Sequence, residues 1–260
     1  MIPFLLTLLL VMPAVQDKSG DKAPAKSAEK TVVDPKRVQA AVAELDQAFK
    51  DGKSADRIQA IQKNTSVVDG AVIDRIAKGL RDKDVAVKQT AIDALGRMQH
   101  PDSVKALSSY YQSEKRTLTS DEVIFPLLLK SIGRLGDPSS VAILSDSPFS
   151  SKIFPSIQAR LYGLGNIRTI DSVDALIGFM KLGAERDFQQ LMSEWRVALV
   201  RLTGEDHGGD SIQLWQKWWR ENKKDFKLPE HAAPMSPDLQ SKWDSYWSAP
   251  LKLEREPEKK

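Results

Sequence analysis

The chain of 260 residues contains no cysteine, which excludes disulfides, thiol nucleophiles, cysteine-held metals and a lipid-modified cysteine. Histidine is nearly as scarce. His100, His207 and His231 stand far apart, and none has a second histidine or a carboxylate one turn away on a helix, so no zinc or non-haem iron site is read from them and all three are assigned to exposed turns. Glycine nowhere gathers into a phosphate-cradling loop, since Gly163-Leu164-Gly165 lacks the third glycine and follows a helix. There is no G-x-S-x-G elbow and no nucleophile placed beside a base, so catalysis and cofactors are not expected. Neither sign of charge dominates. The 38 Lys and Arg against 35 Asp and Glu leave +3, too mild a balance for a nucleic-acid partner. The longest uncharged apolar run, Met1 to Val15, is shorter than the ~20 residues of a bilayer span.

That run reads as a secretory signal peptide over residues 1–16, cleaved near Ala14 or Gln16, and places the mature chain outside the cytoplasm, periplasmic or secreted. Residues 17–33 are rich in Lys, Ala, Asp and Ser with no apolar period, the mark of a solvated tether. Order is expected to start at Asp34-Pro35, a helix cap followed by a preset first helical residue, and a capping helix over 34–52 follows from Val38, Val42, Leu45 and Phe49 recurring on one stripe.

The helical period then continues to Phe226 with short Gly, Pro, Asp and Ser turns, which makes the fold all-α. Internal similarity narrows it further. Leu95-Gly96-Arg97-Met98 before His100-Pro101-Asp102-Ser103-Val104 aligns with Ile132-Gly133-Arg134-Leu135 before Asp137-Pro138-Ser139-Ser140-Val141, and again with Leu164-Gly165-Asn166-Ile167 before Ile170-Asp171-Ser172-Val173. Offsets of this size belong to stacked helix-turn-helix units, a right-handed α-solenoid. In the unit around residue 91 the inward face is assigned to Val87, Ala91, Ala94, Leu95 and Met98.

These motifs resemble HEAT-repeat proteins, including the short bacterial type named after bilin-lyase subunits, with Ala91 to Leu107 and Leu128 to Leu144 carrying the pattern best. Five HEAT-like repeats are expected over 54–227, followed by an extension over 228–260 with a Trp-rich helix and a charged tail. The turn from Leu202-Thr203-Gly204 into Trp215 and Trp218-Trp219 resembles the end unit of exported bacterial HEAT proteins. The resemblance implies architecture and says little about ligands.

Stacked helix pairs form an extended concave surface suited to a protein or peptide. The second helix of each unit is expected to line it, which nominates Lys105, Tyr110, Tyr111 and Gln112. Trp218, at the edge of the apolar arc centred on Trp215, is a fifth candidate for partner binding. The reading is therefore an exported scaffold or adaptor without catalysis. The alternatives are a cell-wall glycan binder that uses the C-terminal tryptophans, or a lyase-like HEAT enzyme of the envelope. The Leu239, Trp243, Trp247 stripe is expected to bury itself as a lid on the last repeat, against the Trp218 edge.

Overall fold

The computed structural model describes residues 33–151, 153–184, 189–251 and 253; the expected signal peptide, nearly all of the tether and most of the charged tail lie outside them. The described residues contain twelve α-helices and no strand. They are α1 (Pro35–Asp51), α2 (Ser54–Asn64), α3 (Gly70–Ala77, prolonged by a 3-10 turn Lys78–Arg81), α4 (Val85–Arg97), α5 (Pro101–Leu118) and α6 (Ile124–Leu135), then α7 (Val141–Ser145), α8 (Phe154–Asn166), α9 (Ile170–Ala184), α10 (Met192–Thr203), α11 (Ile212–Asn222) and α12 (Pro237–Ser248).

Local chemistry sets many of the starts. Asp34, Asp69 and Asp84 accept hydrogen bonds from the backbone N–H two residues on, satisfying donors that a helix cannot pair internally. At α5 a histidine does the same: His100 Nδ1 accepts from Asp102 N–H at 3.2 Å, just ahead of Pro101. Stops are as local. Gly136 after α6 and Gly204 after α10 sit at φ of +67° and +89°, the left-handed conformation that a residue without Cβ adopts freely.

The helices stack in two rows, and the chain is an α-solenoid. The odd row runs α1, α3, α5, α7, α9, α11, and the even row α2, α4, α6, α8, α10. Each row buries its apolar side against the other: Val87, Ala91, Ala94, Leu95 and Met98 of the α4 segment all lie in one core with Leu107 of α5.

The rows differ in spacing, with consecutive helices closer together in the even row. Small residues permit this. A Cβ on Gly133 of α6 would lie 2.4 Å from the Gly163 Cα of α8, one on Gly96 of α4 would meet Ser131 at 2.5 Å, and one on Gly165 would stand 2.9 Å from the Ala198 Cα of α10. The glycines of Leu95-Gly96-Arg97, Ile132-Gly133-Arg134 and Leu164-Gly165-Asn166 thus serve backbone contact inside helices as well as helix ends. Two rows joined rung by rung with unequal spacing bend toward the tighter one, so the even row lines the inside of the curve. This corrects the expectation that the second helices, here the odd row, form the concave surface: apolar periodicity marks the buried stripe of each helix but not which row is closer.

Candidate partner-binding surfaces

The five nominated residues do not form one surface. Lys105 and Gln112 are exposed on α5, in the outer row. Lys105 borders a groove of about 380 Å³ between α3 and α5 that also takes in Arg81, Asp74 and one edge of Tyr110. Tyr110 is otherwise buried, which raises its hydroxyl pKa. Tyr111 is 1 % exposed and points into the core, where its hydroxyl donates to Asp146 Oδ2 at 3.0 Å. Both rings leave the list of surface contacts, because a solenoid helix has neighbours on each side as well as across the rows, and its buried arc is wider than polar neighbours such as Ser108 and Gln112 suggest.

Tyr111 belongs to a buried polar cluster. Arg160 of α8, 1 % exposed, donates from Nη1 to the carbonyls of Ile143 and Leu144 at 2.9 and 2.7 Å, closing the end of the five-residue α7. Its guanidinium lies 5.6 Å from the Phe125 ring centre. Asp146 accepts from Tyr111 and pairs with Lys115, and the Lys115 ammonium holds its carboxyl below the usual range. Every member is tied to structure, so the cluster is read as a brace.

Trp218 stands at the C-terminal end of the stack. It is half-buried, with His207 stacked on it at 4.0 Å and 8° and Phe226 edge-on at 5.4 Å. His207 is therefore no exposed turn residue, and its burial lowers its pKa. Of the six tryptophans, Trp195, Trp215, Trp219 and Trp243 are buried, which leaves only Trp218 and Trp247 with any indole face to offer a glycan. Trp215 Nε1 donates to the Gly209 carbonyl and Trp219 Nε1 to Asp174, both inside the fold.

The inner row carries the feature the sequence placed elsewhere. Helix α12 does not cover the Trp218 edge. The segment after α11 passes the C-terminal end of α10, where Arg168 donates to the Pro229 carbonyl and Pro229 and Ala233 close over Gly204. It delivers α12 onto the even row across α10, α8 and α6. Each of three aromatic side chains of α12 meets a cation there. Arg201 of α10 lies 5.1 Å from the Trp243 ring, Lys130 of α6 4.6 Å from Tyr246, and Arg134 of α6 5.8 Å from Trp247. Tyr246 also stacks on Tyr162 of α8 at 3.9 Å and 7°, and Lys130 Nζ donates to the Tyr246 carbonyl at 2.7 Å. Cation–π contacts are strongest where water is thinned, and this seat is: burial pushes the Tyr162 hydroxyl up to about 12 and the Tyr246 hydroxyl higher still. Lys130 and Arg134 were missed by the sequence reading, although two cations one turn apart in the otherwise apolar Ile-Phe-Pro-Leu-Leu-Leu-Lys-Ser-Ile-Gly-Arg-Leu were a visible signal.

Among the described residues no group of three or more His, Asp or Glu side chains is placed to hold a metal ion, and no helix is long and apolar enough to cross a membrane. No curated protein matches the chain. Residues 38–125 match the family model for HEAT repeats, a stretch that runs from α1 into the start of α6. Over that stretch, about a third of the chain, the helix pairs are similar to HEAT repeats, and the described residues as a whole form an all-helical α-solenoid.

Proposed function

We propose that the protein is an exported scaffold, of the bilin-lyase-type bacterial HEAT class, that holds a protein or peptide partner along its inner even row and carries out no catalysis. The observation that supports this best is α12 itself. The even row already holds a twelve-residue amphipathic helix through cation-seated aromatics, the way a groove recognises a helical partner segment. The rest of the row, over α2 and α4, is not covered by α12 and presents exposed side chains of both signs, among them Asp56, Lys63 and Arg97. Export rests on the apolar run at Met1 to Val15, and the absence of a nucleic-acid partner on the even charge balance.

The test is a pull-down from envelope extract with the mature chain beside its Arg97→Glu variant, which reverses a charge on the open part of the inner row. A partner captured in stoichiometric amount by the first and lost by the second supports the proposal. Equal capture by both moves the partner to another surface, and turnover of an envelope substrate by the purified chain refutes the scaffold reading.

A further inference from the structure

Beside the C-terminal end of α12 the inner row opens into a cavity of about 430 Å³. Its floor comes from α4, α6 and the start of α8, and its far wall is the segment Ala249-Pro250-Leu251 that follows α12. The cavity is within the size range of small-ligand sites, and its walls are apolar on two sides, Pro126 and Leu127 on one and Pro250 and Leu251 on the other.

Two cations face it, and their pairing is incomplete. An ammonium has three donor hydrogens. Lys130 gives one to the Tyr246 carbonyl and makes no ion pair among the described residues. Arg134 reaches Asp93 from Nη1 alone, at 3.1 Å, and Asp93 is shared with Arg97 at 2.8 Å. One carboxylate thus serves two guanidiniums, and it reaches Lys130 through space only, without a direct ion pair. Glu122 lines the cavity from the exposed loop before α6 and makes no ion pair among the described residues. A half-buried amine held by one carbonyl and a ring face has donor hydrogens to spare, and an anion entering the cavity would accept them as charge-assisted hydrogen bonds.

We propose that this cavity binds a carboxylate carried on an apolar body, with Lys130 and Arg134 taking the carboxylate and the proline and leucine walls taking the body. The carboxylate could belong to a free aliphatic acid or to the C-terminus of a peptide, and the chemistry of recognition is the same. The proposal rests on the cavity and its cations, not on a protein partner elsewhere on the inner row. One consequence is specific to it. Burial first, then the Arg134 charge, lowers the Lys130 pKa to about 8, with Asp93 opposing and Arg97 adding to the effect. A bound carboxylate restores the ammonium, so binding somewhat above that pH takes up a proton.

Calorimetric titration of the full chain with decanoate and decanol, and with N-acetyl-Leu-Phe as free acid and as amide, tests the site. Binding of at least one acid, with its neutral counterpart weaker by about ten- to a hundredfold, is expected from the loss of a charge-assisted hydrogen bond. Decanoate alone binding identifies a free acid as the ligand class, and the peptide acid alone identifies a C-terminus. Lys130→Met should lower the affinity for the acid by a similar factor, while Lys217→Met on α11 should not. Titration in buffers of different ionisation enthalpy, about one pH unit above the Lys130 pKa, should show proton uptake in the wild-type chain, a readout that needs no variant to fold. Equal binding of acid and neutral forms, no acid binding at millimolar concentration, or binding without proton uptake overturns the proposal.

Discussion

Between Gly133 of α6 and Gly163 of α8 there is no room for a methyl group, whereas a Cβ placed on Gly178 of α9 would meet nothing within 4 Å. At these two positions the same residue type does opposite work. In the even row glycine is a spacer of zero width that lets backbones touch, and the closeness it allows bends the stack and presents a continuous wall of long side chains. In the odd row helices stand apart and grooves open between them, as at α3 and α5. Among the described residues, both large apolar side chains that remain clearly exposed, Leu182 and Leu214, are on odd helices, α9 and α11.

The sharpest way to break this comparison is to place one substitution in each row. Gly133→Val should cost about 3 kcal/mol or more by forcing α6 from α8, while Gly178→Ala should stabilise by about 0.5 to 1 kcal/mol through helix propensity; urea unfolding of both reads the difference, and two similar losses would mean that the rows are equally tight. Next in size, Trp243→Ala should cost about 3 kcal/mol by emptying the seat of α12, against a change within about 0.5 kcal/mol for Leu214→Ala on the outer row. Thermal melts of the two variants should separate clearly. Arg160→Leu should cost about 2 kcal/mol, because it leaves the Ile143 and Leu144 carbonyls buried without a donor, and amide exchange should show the loss concentrated at α7.

The smallest effect is a pH dependence. The folded-state pKa of Lys130, about 8, lies below its ordinary value of 10.5, so between these limits the unfolded chain binds more protons and stability rises with pH. Lys130→Met should remove that part of the slope between about pH 8 and 10. A slope identical to that of the wild-type chain would show that the amine is as solvated in the fold as out of it.

The all-α solenoid was legible because its determinants are local and repeated: a 3.6-residue apolar period, acidic caps ahead of helices, and Leu-Gly motifs at solenoid spacing. The centre of the Trp arc was legible too, since Trp215 is fully buried and Trp218 lies at its edge. What a helical wheel cannot supply is the identity of the neighbour. It marks a face as buried without saying how close the facing backbone stands to a Cβ, and so the curvature was assigned to the wrong row. Tyr110 and Tyr111 were misread for a related reason: a stretch of serine and glutamine around them describes the outer arc of α5, not the two flanks it shares with its neighbours. The destination of α12 was hidden because a stripe of Leu239, Trp243 and Trp247 states a need for burial, and only the length of the segment from Leu228 to Ser236 allows it to reach the inner row.

The seat of α12 also has consequences for the order in which the molecule assembles. Contacts within the stack join residues about one repeat apart, as Gln158 and Glu194 do at a separation of 36, whereas Lys130 and Tyr246 are 116 residues apart. Neighbouring repeats can therefore form by short loop closures as the chain emerges, but the α12 contact requires α6, α8 and α10 to be in place first. It is a late step in folding and an early one in opening, a local unit whose amides exchange before those of the even row beneath it. An incomplete chain lacking its last thirty or so residues would keep its repeats yet expose Tyr162, Arg201 and Lys130, which α12 covers in the finished protein.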